Sequence, residues 1–174
     1  MATISTDEVK RYLQLYGDRD REFFDLVERR AVLQLRAYAP SSAQLDGMPH
    51  SPGFVSDRTG NIVEQLEELD IELNAKKMDL RALYHEIDEY IGQIKAARRR
   101  GWPDRRAVLQ MRYLDLADWS MITTMLFGQR GDFEDRRESY LRRTHRLHMT
   151  ALLELAELTI QEMDSNGSDK KWRP

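Results

Sequence analysis

The sequence predicts an all-α protein, and three observations carry that reading. Of the 174 residues, 33% are charged and only 9% aromatic, a composition that suits long solvated helices better than a sheet. Apolar residues recur at helical spacing through most of the chain. Chain-breaking residues are gathered rather than spread: three of the five prolines and three of the nine glycines fall between Pro40 and Gly60. The arrangement this implies is a long antiparallel helical hairpin, a coiled-coil arm over residues 1–100 with a Pro/Gly-rich loop at about 40–60. A smaller helical module follows over 101–163, and a polar tail expected to be disordered over 164–174.

The first helix starts at Ser5 or Thr6, either of which can cap it, with Asp7 and Glu8 in the first turn where the helix dipole favours negative charge. Val9, Leu13, Tyr16, Phe23, Val27, Ala31, Leu35 and Tyr38 supply its apolar spacing, and Gly17-Asp18 interrupts it, so a kink or break is expected there. Pro40 ends the segment. The second helix begins at Asp57 or Thr59 and runs to about Arg100, roughly 60 Å of helix. Its heptad is regular: Ile62, Leu66, Leu69, Leu73, Lys76, Leu80, Leu83, Ile87, Tyr90 and Ile94 alternate steps of four and three, with one polar member, Lys76. A pattern sustained that far indicates a coiled-coil seam, filled either by the first helix folding back or by a second copy in a homodimer through helix 62–94. Lys76 in that seam reads as a snorkelling lysine, with a register-setting role as the sharper alternative.

Gly101 provides the positive φ a helix end needs, and Pro103 suits the first turn of the next helix. That helix, Asp104 to Leu114, offers Val108, Met111 and Leu114 to a core. Asp118 caps another, with Trp119, Ile122, Met125 and Leu126 on one face and Gly128 as its stop. After the hydrophilic turn GQRGDFED, the last helix begins near Glu134 or Arg136. At 100° per residue its Tyr140, Thr144, Leu147, Ala151, Leu155 and Leu158 point inward. Ser139, Arg142 and Arg146 point outward, with Arg143 on one edge and His145 on the other.

Charge singles out the same stretch. Between Lys95 and Arg146 thirteen Lys/Arg face seven Asp/Glu, a balance of +6 in a chain whose total is −3, which leaves −9 for the remainder. Basic residues gathered on a short helix, a second helix and a long last helix, which presents Ser and Arg, form the footprint of a helix-turn-helix that reads double-stranded DNA. Arginine can pair with a guanine edge in two places at once, and Ser or a helix N-terminus can hold phosphate. Other chemistries find no support. The four histidines form no ligand pattern with carboxylates, and there is no Gly-rich phosphate loop or nucleophile motif. No enzyme, metal or cofactor is expected. With no cysteine, no apolar run of membrane length and no signal-peptide pattern at MATISTDEVKRYL, the expectation is a soluble intracellular protein, compatible with a reducing interior, with no membrane partner.

WPDRRAVLQMRYLDLADWSMITTMLFG followed by ESYLRRTHRLHMTALLEL resembles the phage and prophage transcriptional regulators of the RinA/ArpU type. The motifs are MRYL, Trp119 with Ile122, and RRTHRLHMTAL, while LDGMPHSPGFVSDRTGNIVEQLEELDIEL resembles that family's loop before a long helix, so the likeness spans most of residues 40–158. It implies a module similar to region 4 of bacterial sigma factors, promoter binding, and control of late or packaging genes together with host RNA polymerase. Carried over by position, Ser139, Arg142, Arg143, His145 and Arg146 become DNA contacts, with Arg136 beside them at the helix start. The turn from Gly128 to Asp135 is longer than a compact helix-turn-helix uses, so either Arg130 and Phe133 add contacts of their own or the last helix docks differently from a sigma factor's. Two other readings fit parts of the chain: a DNA-packaging subunit of the small-terminase kind, and a coiled-coil adaptor that binds only protein.

Overall fold

The structure, a computed structural model, describes residues 4–38, 58–97 and 99–165; among these every regular element is helical. They are α1 (Thr6–Tyr38), α2 (Arg58–Ala96), α3 (Trp102–Leu109), α4 (Trp119–Phe127) and α5 (Arg137–Ser165), with one π-helical turn, Gln110–Leu114, continuing α3. No described helix is long and apolar enough to cross a membrane. The loop at about 40–60 lies almost wholly outside the described residues, as does the tail beyond Ser165; the tail's first two positions, 164 and 165, belong to α5.

α1 starts where its chemistry allows. The Ser5 hydroxyl accepts from the Glu8 amide at 3.2 Å and the Glu8 carboxylate accepts from the Ser5 amide at 2.7 Å, so each satisfies a donor the first turn would leave open. Those bonds hold the Glu8 carboxyl below its ordinary value. Contrary to expectation, α1 passes Gly17 without a break. A Cβ there would come within 3.0 Å of the Leu116 side chain, so glycine at this place serves close approach rather than interruption.

The chain divides into two compact units, Asp20–Asp79 and the remainder. In the first, Arg30 holds Asp70 with two hydrogen bonds, the second at 3.2 Å, and Lys76 meets Glu22 at 2.9 Å. Partners descend one helix as they ascend the other, so α1 and α2 run antiparallel here. Lys76 fills its heptad position with an ion pair across to α1, but both partners stay half-exposed, which limits its worth to under about 1 kcal/mol. The heptad side of α2 is its covered side: Leu69 is buried and Ile62, Leu66 and Leu73 half-buried. On α1 the covered positions are Phe23, Leu26, Arg30, Leu33 and Ala37, whereas Val27, Ala31, Leu35 and Tyr38 are exposed. The helix carries two apolar stripes, and the one facing α2 is not the one the spacing favoured.

The second unit has its own core. Val9, Tyr12 and Leu13 of α1, Ile87, Tyr90, Ile91 and Ile94 of α2, and Leu109, Tyr113 and Leu114 meet Ala151, Leu152, Leu155 and Ala156 of α5. The sequence placed a boundary at Gly101, yet the core continues across it, because the start of α1 and the end of α2 supply apolar side chains that α5 needs to cover its inner face. Gly101 does adopt φ +79°, and Pro103 lies in the first turn of α3 as its chemistry requires. Many of the polar groups buried in this core are paired, although Glu154 Oε1 accepts no hydrogen bond among the described residues. The Tyr90 and Thr159 hydroxyls are 2.8 Å apart, and the Tyr12 hydroxyl donates to Glu86 at 2.6 Å. Arg105 donates from Nε to Glu154 at 2.7 Å and from Nη1 to the Arg100 carbonyl at 2.8 Å. Of the three arginines that follow α2 in the sequence, Arg98 lies outside the described residues, and Arg99 reaches Glu157 at 2.8 Å.

Candidate nucleic-acid interface

Trp102–Leu109 and the π-helical turn lead to Leu116, whose φ of +52° is uncommon for a side chain with a Cβ. That bend aims the chain into α4, which Asp118 caps by accepting from the Met121 amide at 2.8 Å. Ile122, Thr123 and Phe127 are buried on α4, and Trp119 and Leu126 half-buried. Met125, expected on that inner face, is 68% exposed, and the polar Thr123 takes the inward place because its hydroxyl has partners there, donating to the Trp119 carbonyl and lying 3.0 Å from the Thr144 hydroxyl. Gly128 ends the helix: a Cβ at this position would fall 2.4 Å from the Thr124 carbonyl oxygen.

The lengthened turn is not a solvated excursion. Its Phe133 is buried and stacks on Tyr140, 5.9 Å between ring centres, while Phe127 stacks on Tyr140 from α4 at 5.0 Å. Asp132 accepts from the Tyr140 hydroxyl at 2.8 Å and from Arg136 at 3.3 Å, and these bonds lower its carboxyl's pKa, Tyr140 first. The guanidinium of Arg130 lies over Phe127 and Tyr140, at 5.5 and 5.6 Å, and that of Arg143 over Phe127 at 5.1 Å. A small aromatic core thus anchors the turn to the start of α5 and presents two arginines on its surface.

On α5 the inner positions are the expected ones. Tyr140, Thr144, Ala151 and Leu155 are buried, Leu147 and Leu158 half-buried. Ser139, Arg142, Arg143 and Arg146 are exposed, and Ser139, Arg142, His145 and Arg146 line one open depression. Arg142 pairs with Glu138 at 3.3 Å, but both side chains stand almost free in solvent, so the pair is easily exchanged for a stronger anion. Arg136 is likewise exposed, held to Asp132. His145 differs from its neighbours: half-buried, its ring lies 4.4 Å from that of Trp119. Two arginines that the pattern reading left out stand close by. Arg137 donates to the Ser120 hydroxyl at 2.8 Å and ties the start of α5 to the start of α4. Arg112 lies over Trp119 at 4.9 Å and donates to the Ala117 carbonyl. Arg137 was findable, since it adjoins Arg136; Arg112 was not, because its role depends on a ring seven residues away across a bend.

His148 supports this face from beneath. It is 6% exposed, stacks on Tyr113 and meets the Tyr113 hydroxyl through Nε2 at 2.9 Å. Burial first, then the charges of Lys10, His145 and Arg112, push its pKa down to about 4. Burial also raises the Tyr113 hydroxyl to about 12. Below the ordinary histidine value of about 6.5 the unfolded chain takes up a proton that the folded one refuses. Stability is therefore full above that pH and falls as pH drops from about 6.5 towards 4, by on the order of 1–2 kcal/mol once partial solvent access is allowed for. Urea titrations at pH 7 and pH 5 should show that loss, and His148→Gln should remove most of the pH dependence in this window.

Compared with family models, curated proteins and solved structures, the chain has no match in any of the three.

Proposed function

We propose that this chain is a sequence-specific, double-stranded-DNA-binding transcriptional regulator of phage or prophage late genes, acting with host RNA polymerase. In this reading α3, α4 and α5 form a sigma-region-4-like helix-turn-helix, and α1 with α2 form the long hairpin, a coiled-coil arm. The observation that carries the proposal is the row of exposed Ser139, Arg142 and Arg146, with half-buried His145 among them, along the first half of α5, and Arg143, Arg130 and Arg136 around it. Arginines in such a row suit phosphate and guanine edges alike, and a helix of this diameter fits a major groove. The charge split between this stretch and the rest of the chain favours the same surface. Host RNA polymerase and late genes come from the likeness to the RinA/ArpU type.

A homodimer through helix 62–94 is open to the chain only if α1 gives way. Its Tyr12 already meets Tyr90 and Glu86, its Tyr16 meets Tyr84, its Glu22 Lys76 and its Arg30 Asp70.

The test is selection of bound fragments from a phage-bearing genome with the full chain, followed by mobility shifts on the enriched duplex over a salt series. One recurrent motif and a log–log salt slope of several units are expected. Absence of duplex binding at low salt would overturn the proposal and leave the protein-binding adaptor. A ring of many chains in solution, with no preferred promoter motif, would favour the packaging subunit instead.

A further inference from the structure

We infer that α1 carries a self-association surface, a stripe built to pair with the same stripe of a second copy of this chain in antiparallel fashion. Phe24, Val27, Ala31, Leu35 and Tyr38 lie within an arc of roughly 80° on α1. Their large members are exposed in the single chain: Phe24 by 57%, Val27 by 37%, Leu35 by 71% and Tyr38 by 79%. The arc is turned by roughly 120° from the face that meets α2, so a second helix can approach it without displacing α2.

The order of the residues identifies the occupant. The stripe is symmetric about Ala31: Val27 and Leu35 stand four residues to either side of it, Phe24 and Tyr38 seven. A two-fold axis through Ala31 therefore places Phe24 against Tyr38 of the second copy and Val27 against Leu35 of the second copy. Ala31 then meets itself where the backbones come closest, which a small side chain permits. Two-fold interfaces require this self-complementarity, in which residue i meets j and j meets i. A parallel pairing would instead set Phe24, Val27, Leu35 and Tyr38 each beside its own copy, so introduced cysteines tell the two arrangements apart. Covering these side chains removes roughly 1,000 Å² over the two chains, near the lower bound for a specific interface, so the dimer is a weak one that depends on concentration.

The surface is independent of the DNA-binding proposal, and either can fail alone. Because the chain has no cysteine, introduced ones report cleanly. Sedimentation equilibrium of the full chain should show a monomer–dimer equilibrium, weakened at least about tenfold by Leu35→Glu with helix content unchanged. Under mild oxidation Ala31→Cys should cross-link to itself. Phe24→Cys alone should not, since antiparallel pairing separates the two copies by roughly 21 Å of helix. A mixture of Phe24→Cys and Tyr38→Cys chains should yield the covalent heterodimer. A chain that stays monomeric at every concentration, an oligomer that Leu35→Glu leaves intact, or self-linking of Phe24→Cys as fast as Ala31→Cys would each overturn the inference.

Discussion

Glu154→Leu should lower the stability of the chain by about 3–5 kcal/mol, more than any other single change considered for its core. The Arg105 and Glu154 side chains are 10% and 3% exposed and joined at 2.7 Å. Removing the carboxylate leaves the Arg105 guanidinium in apolar surroundings with the Arg100 carbonyl as its remaining hydrogen-bonding partner. A buried cation without a counter-charge loses most of its hydration and recovers little of it. The complementary change, Arg105→Met, leaves Glu154 with Arg99 at 3.8 Å, a half-exposed neighbour that softens the loss. Combining Arg105→Met with Glu154→Leu should recover most of the stability, since a well-packed apolar pair often matches a buried ion pair. Urea denaturation of the two single variants and the double variant checks this, and additive losses in the double variant would show that the two groups act separately.

Arg142→Ala and Arg146→Ala should each weaken binding to the selected duplex by about 1–3 kcal/mol if the residue reads a base. If instead it meets only phosphate, affinity should fall evenly over all sequences and the salt slope by about one unit. The chain is suited to this distinction because both side chains stand outside the core. Arg142 touches only Glu138 among the pairs described, and neither arginine takes part in the aromatic stack below them. A change in binding therefore cannot be ascribed to a collapsed helix, and melting curves that overlay the parent's verify it. Identical affinities and slopes for parent and variants, on specific and random duplexes alike, would remove this row as the contact surface.

How much could be read from the residues depended on how local the cause was. Caps are decided within one turn, and Ser5 with Glu8, Asp118, and Gly101 with Pro103 stand as their chemistry requires. The two sides of the first half of α5 followed from 100° periodicity because Tyr140, Thr144, Leu147 and Ala151 there line one side, opposite Ser139, Arg142 and Arg146. On α1 the same procedure failed. Two apolar stripes share that helix, and only cross-helix partners such as Asp70 for Arg30 decide which is covered. Phe133 was misjudged as part of a hydrophilic turn; one phenylalanine amid seven polar or glycine residues was the signal to weigh. Arg105 carried no signal at all, since a charged residue on a short helix reads as surface until its partner, 49 residues on, is known.

Arg137–Ser165 is one uninterrupted helix. Its first two turns and more display the cationic row, while Ala151, Leu152 and Leu155 farther along are sealed in the core with α1 and α2. Amide hydrogens on the two parts should accordingly exchange with deuterium through common opening events rather than in separate steps. If the proposed DNA contact is right, a polyanion seated on the row should slow exchange at Leu152 and Leu155 as well, far from any atom it touches.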